Sequence, residues 1–273
     1  MGMNINEDKN GLIWGKWKMN ERTWVLTNRW CNFCYLLLGD EEALLIDTGC
    51  GEGNIREVAE SITNKPIRVI NTHGHLDHIG GNFWWKECYG MEGFWEDYKE
   101  STTKEDADRF FKLLPEGYEC HYIKAGHLFD LGNRKVEVIQ VGSHSRSTLM
   151  LLDHGERILF TGDELEAAQV LMVLNDTLPL EKRVQKHLEV MEELMSRSDE
   201  YDIICPAHNG TCISKDYVND FRELDRKILN NAAELQESVV GFNWPAKVDE
   251  NSDIAACYPA SRAQYGKASI VYR

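Results

Sequence analysis

The chain has 273 residues, 42% of them apolar and 27% charged, and a formal net charge of −15. That length is ample for one large domain with a buried core. The acidic balance excludes a broad basic face of the kind a nucleic-acid partner requires. Residues 1–8 lack a basic region followed by an apolar run, so no secretory signal is expected there. Nowhere does the sequence approach the roughly 20 apolar residues of a membrane span. The expectation is a cytoplasmic enzyme with a small-molecule substrate, without nucleic-acid or membrane partners; oligomeric state stays open. Eight scattered cysteines read as reduced thiols, and the lone Cys31-Asn32-Phe33-Cys34 lacks the second pair a zinc ribbon needs.

Residues 12–17, 23–27, 33–38 and 43–46 are rich in aromatic and β-branched side chains and read as a meander of mostly antiparallel strands. Asp47-Thr48-Gly49 closes the last of them. Asn54 is placed to cap a helix to about residue 63, with Ile55, Val58, Ala59 and Ile62 as its apolar stripe. The short strand 67–70 then delivers the chain into Asn71-Thr72-His73-Gly74-His75-Leu76-Asp77-His78, which places three histidines and an aspartate within six residues. Imidazole and carboxylate donors together suit zinc, iron or manganese.

Residues 83–114 read as helical. The aromatics Phe83, Trp84, Trp85, Phe94 and Trp95 are either core or one wall of a substrate pocket. Strands follow at 120–123, 128–129 and 135–141. After the polar loop Gly142-Ser143-His144-Ser145-Arg146-Ser147-Thr148 come strands at 149–152 and 157–160, the latter ending in Thr161-Gly162-Asp163. Residues 165–179 read as an insert, suited to a pocket wall or lid. Val184, Leu188, Met191 and Leu194 recur at helical spacing. The strand 202–205 ends in Pro206-Ala207-His208, and a helix is expected over 221–235. From residue 238 the pattern is less regular, with Trp244, Tyr258 and Tyr265 as further candidates for a pocket and a final strand at 268–272. No linker divides the chain. It reads as a single domain, 1–273, with 214–273 a helical and irregular extension.

Three later strand ends thus each present one candidate ligand, His144, Asp163 and His208. With His73, His75, Asp77 and His78 they make seven, and loops at strand ends are where such scaffolds carry catalytic groups. His121, His127, His154 and His187 fit no motif position. The order His-x-His-x-Asp-His, then His, Thr-Gly-Asp and Pro-Ala-His, resembles the metallo-β-lactamase superfamily, and its strand-end Asp-Thr-Gly is matched at Asp47. The resemblance implies an α/β fold, a four-layer αββα sandwich with two halves related by a pseudo-twofold; the Thr-Gly echo at residues 48–49 and 161–162 fits this. It also implies a dinuclear site for two divalent metal ions, with zinc expected and iron or manganese as alternatives. His73, His75 and His144 would hold one ion, Asp77, His78 and His208 the other, and Asp163 both. A hydroxide shared by the ions would attack an acyl carbonyl, with Asp77 accepting a hydrogen bond from it as the catalytic carboxylate. Asp47 would hold the ligand loop in place.

Asp163 stands where the best-known β-lactamases carry Cys, and His75 where flavo-diiron proteins carry Glu. The set resembles the glyoxalase II and lactonase branches, which implies cleavage of a small ester, thioester or lactone. A mononuclear-iron oxidoreductase resembling persulfide dioxygenases is the alternative. A ribonuclease Z-like nuclease is disfavoured by the acidic charge, and a metal sensor by the intact ligand set. In place of the His-Thr-Pro-Gly-Ser common in those branches the chain has His144-Ser145-Arg146-Ser147-Thr148. Arg146 is a candidate contact for a substrate carboxylate, or an exposed arginine without a role. The mixed charge of residues 216–237 argues against glutathione as the carrier.

Overall fold

In strands β4 (Phe33–Leu38) and β5 (Ala43–Ile46) apolar residues fill both faces, and alternate side chains enter different cores. Tyr35, Leu37, Leu44 and Ile46 pack into one core, whereas Cys34, Leu36, Ala43 and Leu45 pack into another. Side chains of period two demand this of a strand covered on both sides. The structure, a computed structural model, describes residues 4–7, 13–28, 32–51, 53–102, 118–172, 178–241 and 257–272.

The first sheet has eight strands in chain order: β1 (Asn4–Glu7), β2 (Ile13–Asn20), β3 (Thr23–Asn28), β4, β5, β6 (Ile67–Ile70), β7 (Glu87–Gly90) and β8 (Glu119–Tyr122). β1 to β5 form the expected antiparallel meander, and β5 to β8 run parallel. Its outer face is covered by α1 (Ile55–Glu60), whose cap Asn54 accepts the Glu57 N–H at 3.2 Å, and by α3 (Phe94–Ser101). The short α2 (Leu76–Ile79) lies between them in the chain.

A second sheet has the order β15-β14-β12-β11-β10-β9. Its members are β9 (Leu128–Asp130), β10 (Lys135–Gln140), β11 (Leu149–Asp153), β12 (Ile158–Gly162), β14 (Ile203–Pro206) and β15 (Ile213–Ser214). Val136, Val138, Leu149, Leu151, Ile158 and Phe160 meet the inner residues of the first sheet in a shared core. Ile139, Met150, Leu152 and Leu159 face outward onto α4 (Leu180–Ser196) and α5 (Asp216–Leu229). The layers run helix, sheet, sheet, helix, the αββα sandwich the resemblance implied. Each sheet contains an antiparallel pair followed by a parallel partner, β4-β5-β6 in one and β11-β12-β14 in the other. The two halves thus repeat one plan. Each buried Leu, Val or Met of α4 contributes about 1.5–3 kcal/mol of hydrophobic stabilisation.

Several expectations need correction. Residues 83–114 are not one helical stretch, because Glu87–Gly90 forms β7 between the 3-10 turn Asn82–Trp84 and α3; residues 103–117 lie outside the described residues. The helix expected over 221–235 spans Asp216–Leu229, and Asn231 at φ 53° turns the chain before β16 (Leu235–Gly241) begins. A third sheet, β13-β18-β17-β16, joins β16 to β17 (Cys257–Tyr265), β18 (Ala268–Tyr272) and β13 (Val170–Met172). The segment read as irregular from residue 238 is therefore strand wherever it is described, apart from the turn at 266–267; Trp244 and the side chain of Tyr258 lie outside the description. The 165–179 insert supplies β13 to this sheet, while residues 173–177 are outside. Cys34, Cys50, Cys88, Cys120, Cys205 and Cys212 form no disulfide; Cys31 and the side chain of Cys257 lie outside the description.

Candidate metal centre

β5 ends at Ile46, and the next residue, Asp47, adopts φ 60°, a left-handed conformation costly for a residue with a side chain. The kink aims its carboxylate at the histidine loop that follows β6. Oδ1 accepts the backbone N–H of Thr72 at 2.8 Å, and Oδ2 accepts the Thr72 hydroxyl and His78 Nδ1, each at 2.8 Å. Thr48 and Asn71 complete the brace. Asn71 Nδ2 donates to the His78 carbonyl at 2.8 Å, and so does the Thr48 backbone N–H.

These bonds settle which ring nitrogen of His78, His73 and His144 faces the centre. His78 donates Nδ1–H to Asp47, which leaves the Nε2 lone pair for the centre. Thr72 spends its hydroxyl proton on Asp47, so its oxygen accepts Nδ1–H of His73 at 3.1 Å. Nε2 of His73 is then left buried without a hydrogen-bond partner. His144 donates Nδ1–H to the Leu171 carbonyl at 2.7 Å, so the insert orients a candidate ligand through its backbone.

The structure brings all seven candidate side chains together. His73, His75 and His144 offer nitrogens within 4.8 Å of one another; so do the donor atoms of Asp77, His78 and His208, and those of His73, His78 and Asp163. Asp163 lies between the first two groups. Its Oδ1 is 3.3 Å from His78 Nε2 and 3.6 Å from His208 Nε2, and its Oδ2 is 3.7 Å from His144 Nε2. His208 Nε2 is 3.1 Å from Asp77 Oδ2. His144 Nε2 and His75 Nδ1 approach to 3.2 Å, and His78 and His208 Nε2 to 3.4 Å. Facing nitrogen lone pairs repel unless a cation or a proton lies between them. Such a donor set fits two metal ions of the zinc class.

Burial, reinforced by His78 and His75, holds the pKa of His73 well below the ordinary histidine value. Burial and then His144 lower His75 to about 3. Both rings are neutral donors. Burial opposes ionisation of Asp77 and Asp163, but neighbouring histidines outweigh it and hold both carboxyls well below the usual range. Burial likewise opposes charge on His78 and His208, yet the surrounding carboxylates raise the first well above the ordinary value and the second to about 10. A proton and a metal ion therefore compete for these two nitrogens.

Arg146 is differently placed from its sequence reading. Its Nε lies 3.1 Å from Asp97 of α3, and its Nη2 pairs with Glu100. Two carboxylates take up its charge, so it is not displayed as a free cation for a substrate. Asp97 also accepts the Ser147 backbone N–H at 2.8 Å, and Ser147 Oγ accepts the Gly74 N–H at 3.2 Å, which ties the His144 loop to the His73 loop. Sequence reading missed Asp97, for which no local signal exists. It also missed Glu164, whose carboxylate accepts the backbone N–H groups of Ser143 and His144 at 3.1 Å each. An acid directly after a strand-end Asp, followed at once by Leu165, was the available hint. Asn209, at φ 57°, donates to Glu166 at 2.6 Å beside His208. Burial and then Asp163 push Glu166 up to about 8. Gly162, at φ 53°, has no room for a side chain, since a Cβ there would lie 2.8 Å from Thr72 Cβ. Among the described residues, no helix is long and apolar enough to cross a membrane.

Comparison with known proteins agrees with this geometry. The family model described as the metallo-beta-lactamase superfamily matches residues 31–208. The acyl-coenzyme A thioesterase MBLAC2 of Homo sapiens is 24% identical over 231 residues, 74% of this chain and 79% of the relative. The hydroxyacylglutathione hydrolase GloC of Haemophilus influenzae is 28% identical over 144 residues, 48% of this chain and 66% of the relative. Among solved structures, the sec-alkylsulfatase Pisa1 of Pseudomonas sp. superposes with TM-score 0.60 at 15% identity, covering 80% of this chain and 42% of that one. An archaeal superfamily protein from Sulfolobus tokodaii superposes with TM-score 0.51 at 17% identity, covering 83% and 86%. With the fold, the ordered ligand motifs and more than half of the chain matched, the chain belongs to the metallo-beta-lactamase superfamily.

Proposed function

We propose that this chain is a metal-dependent hydrolase that cleaves a small acyl thioester, within the broader class of esters, thioesters and lactones. The observation that carries the reading is Asp163, which turns one carboxylate oxygen toward His78 and His208 and the other toward His144. His73, His75 and His144 would hold one ion, Asp77, His78 and His208 the other, and Asp163 both. When bound, the two ions, zinc in this reading, acidify a water and polarise an acyl carbonyl.

The chain's own residues set the rest. Asp77 stays ionised, so its free lone pair can hold and orient the proton of the attacking group. Asp77 and His208 are the most exposed of the seven side chains, each 21%, and mark the side from which substrate approaches. His73, His75 and His78 are buried beneath, where exclusion of water strengthens every charge interaction. Asp47 keeps the loop from relaxing when charge changes above it. The thioester preference rests on the names of the two curated relatives, a coenzyme A thioesterase and a hydroxyacylglutathione hydrolase.

The test is turnover of a zinc-reconstituted sample against acyl-coenzyme A, hydroxyacylglutathione, aryl ester, lactone and β-lactam substrates. Thioester cleavage that disappears with a chelator and returns with zinc supports the reading. One bound iron per chain with sulfur-dependent oxygen uptake, and no hydrolysis, would replace it with the oxidoreductase alternative.

A further inference from the structure

We propose that Asp225, His187 and Glu164 form a buried positioning chain through which α5 sets the geometry of the metal centre. The proposal rests on the metal-centre reading above. The three residues come from three separate elements, namely α5, α4 and the turn after β12. All three are fully buried. His187 Nδ1 lies 2.7 Å from Asp225 Oδ2, and His187 Nε2 lies 2.9 Å from the backbone carbonyl of Glu164. The carbonyl can only accept, so Nε2 carries a proton; with Asp225 ionised, which burial opposes and His187 favours, Nδ1 donates too and the ring is an imidazolium paired with a carboxylate.

Glu164 then acts in two directions. Its carbonyl is pinned from behind by His187, which fixes the Glu164–Leu165 peptide, one residue beyond Asp163. Its carboxylate grips the backbone N–H groups of Ser143 and His144 at 3.1 Å each, which fixes the loop that carries His144. Asp163 and His144 face each other at 3.7 Å across the centre. One residue therefore sets the spacing of two candidate ligands, and an ion pair in the helical layer sets that residue.

The arrangement is costly for stability alone. His187 packs edge-on against Phe221, ring centroids 5.4 Å apart, amid Val184, Leu188 and Leu224. Asp225 Oδ1 has no hydrogen-bond partner there. A well-packed apolar pair at such a position commonly gives equal or greater stability. Asp225 also lies beyond residue 208, where the family match ends. The C-terminal part of this chain thus reaches the centre through this side chain as well as through β18, which pairs with the β13 strand that holds His144.

The experiment is zinc affinity of the full chain, measured by competition with a chromophoric chelator and accompanied by thermal melting. Asp225→Ala and Glu164→Gln are expected to weaken zinc binding about 10–100-fold, the range for residues that orient metal ligands. Asp225→Asn keeps an acceptor for the imidazole and is expected to retain most of the affinity. Combining Glu164→Gln with Asp225→Ala is expected to cost little more than the worse single change, because both act through one chain. Val218→Ala, a core truncation on the same helix, is expected to lower the melting temperature while leaving affinity within about twofold of the parent. If Asp225→Ala does not fold, Glu164→Gln decides. Affinity in the folded variants within twofold of the parent overturns the proposal and leaves the metal-centre reading intact, and so does an equal loss in Val218→Ala. A parent chain that binds no zinc overturns both.

Discussion

Asp47 Oδ2 accepts the Nδ1 proton of His78 at 2.8 Å, and that single bond decides that Nε2 of His78 faces Asp163. The same carboxylate, through Thr72, also decides which nitrogen of His73 is free. Asp47→Ala removes an acceptor from three donors at once. It is expected to weaken zinc binding about 10–100-fold while the far-ultraviolet circular dichroism stays native. Zinc titration of the purified variant checks this, and unchanged affinity would remove Asp47 from the account.

Asp163→Ala removes the carboxylate that both ligand groups share. Hydrolysis is expected to fall to background and bound zinc to drop from two ions to one or fewer per chain. The fold is expected to persist, because the sandwich core does not include this residue. Activity assays and metal analysis on the same preparation provide the check, and full activity in the variant would refute the bridging role.

The seven candidate ligands were legible in the sequence because each sits at or just after the end of an apolar strand, where chain order and side-chain chemistry are both visible. The four layers came from the family resemblance that those motifs carry, and strands such as Leu149–Asp153, buried along their whole length, accord with it. What connects distant segments was not legible. β13 has three residues and pairs with β18, Val170 opposite Ile270, so no local pattern announces the third sheet. Arg146 looked free until Asp97 and Glu100 came to it from α3. His187 carried a faint signal: it stands among Val184, Leu188 and Met191 on the buried stripe of α4, where a polar residue requires a partner. Asp225 sits likewise beside Leu224 on α5.

Arg146 and Asp97 separate a structural role from a recognition role. Arg146→Ala is expected to change KM by less than about threefold for acyl substrates with and without a free carboxylate, because its charge is already paired. Asp97→Ala leaves the Ser147 N–H without its acceptor and Arg146 with Glu100 alone, and is expected to cost about 2–3 kcal/mol of stability. Urea unfolding and steady-state kinetics on the two variants check the pair. A large rise in KM confined to carboxylate-bearing substrates in Arg146→Ala would restore the recognition role.

The His187–Asp225 pair gives a pH signature. Burial disfavours the charged ring, but Asp225 outweighs it and raises His187 to about 9, above an unfolded value near 6.5. The stabilisation is therefore fully present below about pH 6.5 and is lost as pH rises through about 9. The parent chain is expected to lose on the order of 2–3 kcal/mol across that window relative to His187→Gln, which cannot titrate. Urea unfolding at pH 6 and pH 9.5 checks it; parallel losses in both proteins would mean that the ring is not charged in the fold.

The central claim is that two ligand groups meet at Asp163 to hold two ions that cleave a thioester. Elemental analysis of the reconstituted full chain, paired with thioester turnover before and after chelation, tests it most directly. The account predicts two zinc ions per chain and activity that follows their removal and return. Fewer than about one metal ion per chain after reconstitution, or thioester turnover that survives complete metal removal, would contradict it.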